Sequence, residues 1–268
     1  METDRLSATH IRRSKSYLEK YFRSLHTIAL ASLDRATVSR ELNLINKRGP
    51  IVANRARATL SAFFNWSIAD GLCEHNPVDK SIKNKEQSRE RVLAPKEIKS
   101  IWSNLPADEY GQIVKLLTLT GQRVNEIAGL TWNEINFEEK QIELPGIRTK
   151  NSRSHIIPLS PPALAILKSI DRDGKDVVFA KRNNWQIDKD KLDKKLDMPH
   201  WVLHDLRRTC STNMGEQLGI PPHVVEAVLN HMSGSKAGVA GVYNKATYLK
   251  EKREALNKYA EYVLTIAK

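Results

Sequence analysis

Two short segments place charged and polar side chains at spacings that a helix would bring together. Arg123 and Glu126 lie three positions apart in residues 120–132, so a helix would stack one above the other. The simplest interpretation is a surface ion pair, and the alternative is a guanidinium that the carboxylate holds in a pocket. His204 and Arg207 are also three positions apart, and two cationic donors on one helix face suit a phosphate. Taken alone, such a pair is also common on protein surfaces.

Three further residues add groups that can act on a phosphate. Lys150 lies in the turn of a predicted hairpin, and His231 ends a predicted helix, where a histidine often does no more than complement the helix dipole. Tyr243 would ordinarily be a half-buried aromatic residue, because a tyrosine becomes a nucleophile only when a base or a strong positive field helps it to ionise. In chain order the segments read Arg-x-x-Glu, a turn lysine, His-x-x-Arg, a histidine and a tyrosine. The combination is much more specific than its parts.

The elements that must position these side chains are mostly helices. Apolar residues recur at spacings near 3.6, which predicts helices over 8–28, 34–46, 51–70, 96–104, 108–120 and 123–130, with further helices after residue 161. Alternating apolar residues within 135–159 predict a small antiparallel sheet of two or three strands. The predicted fold class is therefore mainly α with a small antiparallel β-sheet.

A polar segment divides the chain. Residues 83–91 have no periodic apolar positions and form the best linker candidate, which predicts one domain over 1–82 and a second over 92–268. The length of 268 residues suits two ordinary domains, and 40% hydrophobic residues are enough for a core, which excludes bulk disorder. The apolar stretches are too short to span a membrane. Two cysteines exclude a disulfide framework and a four-ligand zinc site.

Positive charge is the strongest feature of the composition. Lys and Arg number 43 against 31 Asp and Glu, which gives a formal net charge of +12. Half of that excess lies in residues 1–90 and half in the remainder, which favours an extended basic surface over a charged tail. Such a balance indicates a nucleic-acid partner, although basic folded proteins without one are common.

With these motifs in this order, the sequence resembles the tyrosine recombinases, and specifically the prophage-type integrases. The resemblance covers nearly the whole chain and is carried by TGQRVNEIAGLTWNEIN at 120–136, TKNSRSHIIPLS at 149–160, WVLHDLRRTCST at 201–212, and LNHMSGSKAGVAGVYNKATYLKEKREAL at 229–256. Residues 53–78 resemble the helical core-DNA-binding domain of that family. The resemblance implies a two-domain C-shaped clamp, with that helical domain and a mixed α/β catalytic domain on opposite sides of a duplex.

The resemblance also implies roles for the residues singled out above. Arg123 and Arg207 would hold the non-bridging oxygens of a DNA phosphate, and His231 would add a donor. His204 would assist deprotonation of the tyrosine or orient the phosphate. Glu126 would support the site.

Two of the implied roles have competitors nearby. Lys150 matches the hairpin lysine of the family, which acts as general acid for the 5′-oxygen, and Arg148 and Arg153 lie close to it in sequence. Tyr243 is the implied nucleophile because it lies in the family's VYN(K/R)A context, whereas Tyr248 is expected to fill an apolar helix position.

The implied activity is that of a site-specific DNA recombinase or integrase, which cleaves and rejoins strands through a 3′-phosphotyrosyl intermediate without metal, ATP or cofactor. Its expected partner is double-stranded DNA at core-type att sites, bound as a homotetramer, with DNA-bending or directionality factors as further partners. We expect the protein in the cytoplasm of a bacterial or phage-infected cell, on DNA and away from the membrane. A type IB topoisomerase and a non-catalytic DNA-binding relative are the alternatives.

Two details of the resemblance bear on the structure. Asn230 stands where family members usually have glycine, and we expect a helix to accommodate it. The last segment, residues 249–268, has apolar positions at helical spacing that suit docking either on its own chain or on a neighbour.

Overall fold

A computed structural model describes residues 8–180, 185–231 and 246–268. The chain divides between Arg89 and Glu90 into two compact units. That division falls within the polar segment 83–91, and the domain boundaries 1–82 and 92–268 stay a prediction. The helices of the described residues are α1 (Ala8–Tyr21), α2 (Arg35–Asn46), α3 (Pro50–Ala69), α4 (Pro95–Asn104), α5 (Glu109–Thr120), α6 (Val124–Ala128), α7 (Pro161–Lys168), α8 (Trp185–Asp193), α9 (Leu203–Glu216), α10 (Pro222–Val228) and α11 (Leu249–Ala267).

The first unit is built from α1, α2 and α3, which pack around their own apolar core. Helix α2 begins after Asp34, whose carboxylate accepts a hydrogen bond from the backbone N–H of Thr37 at 2.8 Å. The prediction of one helix over 8–28 is wrong, because α1 ends at Tyr21 and a short 3₁₀ turn follows at Arg23–Leu25. This tighter turn places Phe22 and Leu25 on one side, and both are buried in the core.

Helix α5 forms the centre of the second unit. Its residues from Ile113 to Thr120 are almost all buried, as expected of a helix that is surrounded by other elements. It packs against α6, α7, α9 and α11. The helix ends at Gly121, which has a left-handed φ of +65° and lies so close to Cys210 that a Cβ at this position would approach its Sγ to 2.7 Å. Glycine is therefore required here both by the backbone conformation and by the packing.

A three-stranded antiparallel sheet in the order β1-β2-β3 lies beside these helices. The strands are β1 (Ile135–Asn136), β2 (Gln141–Leu144) and β3 (His155–Pro158), and the register pairs Ile135 with Ile142 and Leu144 with His155. The fold class predicted from the sequence, mainly α with a small antiparallel sheet, is thus confirmed.

The last helix, α11, docks on its own chain. Its buried face contains Leu256, Tyr259 and Val263, and it packs against α4, α5, α10 and β3. At its start, the ammonium group of Lys252 donates a hydrogen bond to the carbonyl oxygen of Ile156 on β3. Of the two possibilities for this segment, docking in cis is the one that this structure displays.

Among the described residues, no helix is both long enough and apolar enough to cross a membrane.

Candidate active site

Arg123 lies immediately before α6 rather than on its surface. It is the N-cap residue, with extended backbone angles, so the expectation that Arg123 and Glu126 share a helix face is wrong. The Glu126 carboxylate instead turns back to it, accepting from the backbone N–H of Arg123 at 3.1 Å and from its guanidinium at 2.9 Å. The Glu126 side chain is 2% exposed and that of Arg123 is 22% exposed. The interpretation as a solvent-exposed ion pair is therefore excluded for this pair.

Arg207 is buried on α9, and its neighbour Leu206 faces the core as the sequence predicts. The guanidinium donates one hydrogen bond to the carbonyl of Gly121 at 2.9 Å and another to the carbonyl of Leu229. These two carbonyls terminate α5 and α10, where the helix dipoles are negative. Burial, together with the charge of Arg123, lowers the pKa of Arg207 to about 10, so the group keeps its charge at neutral pH.

Two histidines complete a cluster of donors around this buried charge. Burial, and after it the positive charges of Arg207 and Arg123, lower the pKa of His231 to about 4. The pKa of His204 is lowered by burial and then by the charges of Arg208, Arg207 and Arg123. Both imidazoles are therefore neutral at pH 7 in the DNA-free protein, which leaves each of them one nitrogen to donate from and one to accept with.

The structure thus brings together four of the residues that the sequence singles out, Arg123, His204, Arg207 and His231, from three separate segments. Each histidine senses the charge of both arginines. Glu126 adds a carboxylate to this group, and that carboxylate pairs with Arg123. Among the described residues there is no group of three or more side chains that could hold a metal ion. A cluster of this composition presents hydrogen-bond donors and positive charge, which is what a phosphate requires.

Lys150 lies exposed in the turn between β2 and β3. The nearby Arg148 is held by other contacts. Its guanidinium donates to the buried Glu134 carboxylate at 2.8 Å and to the carbonyl of Gly129 at 2.7 Å. The arginine therefore joins the turn to the end of α6. Of the competitors near Lys150, Arg148 has a structural role in the free protein, and Arg153 is exposed.

Asn230 is not in a helix, which corrects the expectation for this position. Helix α10 ends at Val228, and Asn230 follows with a left-handed φ of +50°. Asparagine is among the few residues other than glycine that adopt this conformation readily, so it fits a position at which the resemblance leads us to expect glycine. Its side chain and that of Asn151 exchange hydrogen bonds across the turn.

A second layer of polar residues lies next to the cluster, and the sequence motifs do not indicate it. His155 on β3 is 4% exposed, and its Nε2 lies 3.2 Å from the side-chain oxygen of Gln122 and 3.1 Å from the carbonyl of Val228. Burial lowers the pKa of His155 well below its ordinary value, and the charges of Lys252, Arg207 and Arg123 act in the same direction. In the sequence, the sign of this layer is a histidine, His155, at the start of an apolar strand.

Tyr243 falls outside the described residues. Tyr248 lies inside them, directly before α11, with a left-handed φ of +49° and its ring centroid 5.1 Å from that of His223. The expectation that Tyr248 fills an apolar helix position is therefore wrong, because it precedes the helix and is half-buried.

A model of the phage integrase family matches residues 91–248, more than half of the chain, and a model of the phage integrase central domain matches residues 1–84. The chain belongs to the phage integrase family. The family match contains all the candidate site residues.

Individual relatives agree with this assignment. Prophage integrase IntZ of Escherichia coli (strain K12) is 27% identical over 274 residues, which cover 97% of this chain and 67% of IntZ. Across four curated relatives that it matches, the chain spans 37% to 67% of their lengths.

Two solved structures show the same fold. A lambda integrase (75-356) dimer bound to a COC′ core site has a TM-score of 0.69 at 18% identity, covering 88% of this chain and 94% of that chain. A lambda integrase tetramer bound to a Holliday junction has a TM-score of 0.70 at 19% identity, covering 88% of this chain and 75% of that one.

Proposed function

We propose that this chain is a site-specific DNA recombinase that cleaves and rejoins strands through a 3′-phosphotyrosyl intermediate, and so integrates or excises a mobile element. The observation that carries the proposal is the buried guanidinium of Arg207. Its described hydrogen-bond partners are carbonyls rather than carboxylates, and its charge and that of Arg123 act on both His204 and His231. A buried positive charge of this kind is stabilised by a bound anion. The DNA phosphate supplies one.

The two arginines stabilise the charge that develops on the phosphate. Attack on a phosphodiester produces a crowded, phosphorane-like transition state with additional negative charge on the non-bridging oxygens. Arg123 and Arg207 each present a planar fork of donors to these oxygens, and His231 adds a neutral N–H. Glu126 fixes the guanidinium of Arg123 before the substrate arrives, so that little reorganisation is needed during the reaction.

His204 and Lys150 carry out the two proton transfers, one at the attacking tyrosine oxygen and one at the leaving 5′-oxygen. Tyr243 is the nucleophile: its oxygen forms a bond to phosphorus and the bond from phosphorus to the 5′-oxygen breaks. The phenolic proton passes to His204, whose lowered pKa keeps it neutral and able to accept. Lys150 gives a proton to the leaving 5′-oxygen, which would otherwise depart as a poor alkoxide leaving group.

The proposed substrate is double-stranded DNA at core-type att sites, in the cytoplasm of a bacterial or phage-infected cell. Lambda integrase, whose structures share this fold, forms a dimer on a core site and a tetramer on a Holliday junction, which supports a DNA partner and tetrameric assembly. Accessory bending or directionality factors belong to the same proposal. The net charge of +12 supports contact with the phosphate backbone.

The test is covalent trapping. A library of nicked duplexes with randomised sequence around the nick traps the adduct, because the short strand released by cleavage diffuses away and cannot religate. We expect the unsubstituted protein to form a phosphotyrosyl adduct whose DNA reports the core site, and Tyr243→Phe to form none while it still shifts the recovered duplex in a gel.

The matched control is Tyr248→Phe, which removes the nearby second phenolic hydroxyl and should keep adduct formation. Loss of adduct in Tyr248→Phe with persistence in Tyr243→Phe would overturn the nucleophile assignment. Relaxation of supercoiled DNA without sequence-directed strand exchange would favour a type IB topoisomerase. A gel shift without any adduct would favour a non-catalytic DNA-binding protein.

A further inference from the structure

The turn that carries Lys150 is joined to the segment that carries His231 through the residues immediately beside them. Asn151 follows Lys150, and Asn230 precedes His231. The Asn151 Nδ2 lies 3.0 Å from the carbonyl oxygen of Asn230 and 3.1 Å from its Oδ1, and the Asn230 Nδ2 lies 3.2 Å from the Oδ1 of Asn151. Two groups separated by 79 positions in sequence are thus held in contact.

The orientation of the Asn151 amide follows from two partners whose roles are fixed. The backbone N–H of Arg153 can only donate, and it lies 3.3 Å from the Asn151 Oδ1. The backbone carbonyl of Asn230 can only accept, so the Asn151 Nδ2 must face it. The amide therefore bridges its own turn and the end of α10 in a single orientation.

The turn itself is braced on the other side of Lys150. Thr149 is 7% exposed, and its hydroxyl lies 2.7 Å from the carbonyl of Arg153 and accepts from the N–H of that residue at 3.1 Å. Lys150 thus stands between a buried threonine that closes the turn and an asparagine that attaches the turn to α10.

We propose that Asn151 and Asn230 are positioning residues that set the reach of Lys150 to the leaving 5′-oxygen. This inference rests on the proposed function, in which Lys150 is the general acid. A lysine on an exposed turn has a long, flexible side chain, so the location of its backbone decides whether the ammonium group can reach the reacting oxygen. Small misplacements of a catalytic group are costly, about 100-fold in rate for roughly 1 Å.

The left-handed backbone of Asn230 makes the pair possible. At a φ of +50° the chain leaves α10 in a direction that presents the carbonyl of Asn230 to the turn. Asparagine and glycine both adopt this conformation, but only asparagine adds a side chain, whose Nδ2 donates to the Oδ1 of Asn151. Asn230→Gly therefore removes the two hydrogen bonds that involve the Asn230 side chain and keeps the backbone carbonyl to which the Asn151 amide donates.

The test compares two versions of the nicked duplex recovered by trapping, one with the ordinary phosphodiester and one with sulfur at the 5′-bridging position. A thiolate leaves without a proton, because thiols have a pKa near 8.5 and alcohols a far higher one. A defect in general acid delivery therefore slows cleavage of the oxygen substrate and leaves the sulfur substrate almost unaffected. A defect in folding, DNA binding or tyrosine activation slows both.

We expect Asn151→Ala to slow cleavage of the oxygen substrate about 10- to 100-fold, with cleavage of the sulfur substrate within about threefold of the unsubstituted protein. Asn230→Gly should show the same pattern with a smaller loss. The double variant should be no slower than Asn151→Ala alone, because the two side chains act through one contact. Asn136→Ala is the matched control and should leave both rates unchanged, because Asn136 ends β1 and its Oδ1 accepts from the backbone N–H of Glu139 in the β1–β2 turn.

Lys150→Ala separates this inference from the function on which it rests. If Lys150→Ala slows cleavage of the oxygen substrate and sulfur restores the rate, Lys150 stands as the general acid. In that case, an equal loss of rate on both substrates in Asn151→Ala, or no loss on either, would overturn the positioning role alone. If sulfur does not rescue Lys150→Ala, the acid assignment fails, and the positioning role fails with it.

Discussion

At the scale of single residues, Arg207 shows how the fold prepares a site for an anion. Its two described hydrogen bonds go to carbonyls that end α5 and α10, which hold the guanidinium in a fixed orientation without neutralising its charge. A carboxylate partner would have competed with the phosphate. The nearby Glu126 carboxylate is instead paired with Arg123.

The chemistry of this arrangement predicts the effect of Arg207→Lys. Lysine keeps the charge, but it is a point donor that cannot hold both carbonyls and also present a fork to the phosphate. We expect adduct formation on the nicked duplex to slow about 100- to 1000-fold, the usual cost of removing one transition-state donor. DNA affinity, measured by gel shift at the same salt concentration, should change much less. Retention of the full cleavage rate would show that Arg207 does not contact the transition state.

At the scale of elements, Arg148 joins the β2–β3 turn to the end of α6. Its side chain is 28% exposed, and the Glu134 side chain that it contacts is 8% exposed. Arg148→Ala leaves that carboxylate buried without its partner, so we expect the free energy of unfolding to fall by about 2 kcal/mol, somewhat less than for a fully buried pair. Arg153→Ala, in the same turn but exposed, is the matched control and should change it by less than about 0.5 kcal/mol. Chemical denaturation measures both, and equal effects would contradict the structural role of Arg148.

The contact of β3 with the end of α10 is expected to make stability depend on pH. His155 has an unfolded pKa near 6.5 and a much lower pKa when folded, because burial disfavours the charged ring. Below pH 6.5 the unfolded chain binds a proton that the folded protein does not, so stability falls as the pH falls towards the folded pKa. We expect a loss on the order of 1–2 kcal/mol between pH 7.5 and 5 from this residue.

The measurement is thermal or chemical unfolding at both pH values for the unsubstituted protein and for His155→Gln, whose amide can still donate to the carbonyl of Val228. The variant should lose less stability on acidification. His204 and His231, whose pKa values are also lowered, contribute to the remaining pH dependence in both proteins. Replacement of the exposed His75 by Gln is the control and should leave the pH dependence unchanged. An identical slope in His155→Gln would refute the role of this histidine.

At the scale of the whole molecule, the net charge of +12 has two uses in the proposed reaction. A few cations act on one phosphate, and the remainder are available to the backbone of the duplex. Affinity for the recovered core duplex should therefore fall at least about 100-fold between 50 and 200 mM salt, because several phosphates release their counterions. Single-turnover cleavage in the preformed complex should change less than about threefold, since charges enclosed in the site are screened weakly. Parallel salt dependence of both quantities would contradict this division.

The sequence by itself determined the fold class, most of the helices and the order of the motif residues. Hydrophobic periodicity reports contacts within one or two turns, which is why the helices over 34–46 and 51–70 appear in the structure almost as predicted. Motif order, in turn, indicated Arg123, His204, Arg207 and His231 before any geometry was available.

Tertiary structure alone decided how these residues are held. Arg207 reaches a carbonyl 86 positions away and Asn151 one 79 positions away, and such contacts depend on how helices and strands pack rather than on local pattern. The left-handed turn at Asn230 and the cis docking of α11 have the same origin. Local sequence sets which elements form, because it fixes their backbone conformation and apolar faces. Packing sets which polar groups meet, because each buried donor and acceptor must find a partner wherever the fold provides one.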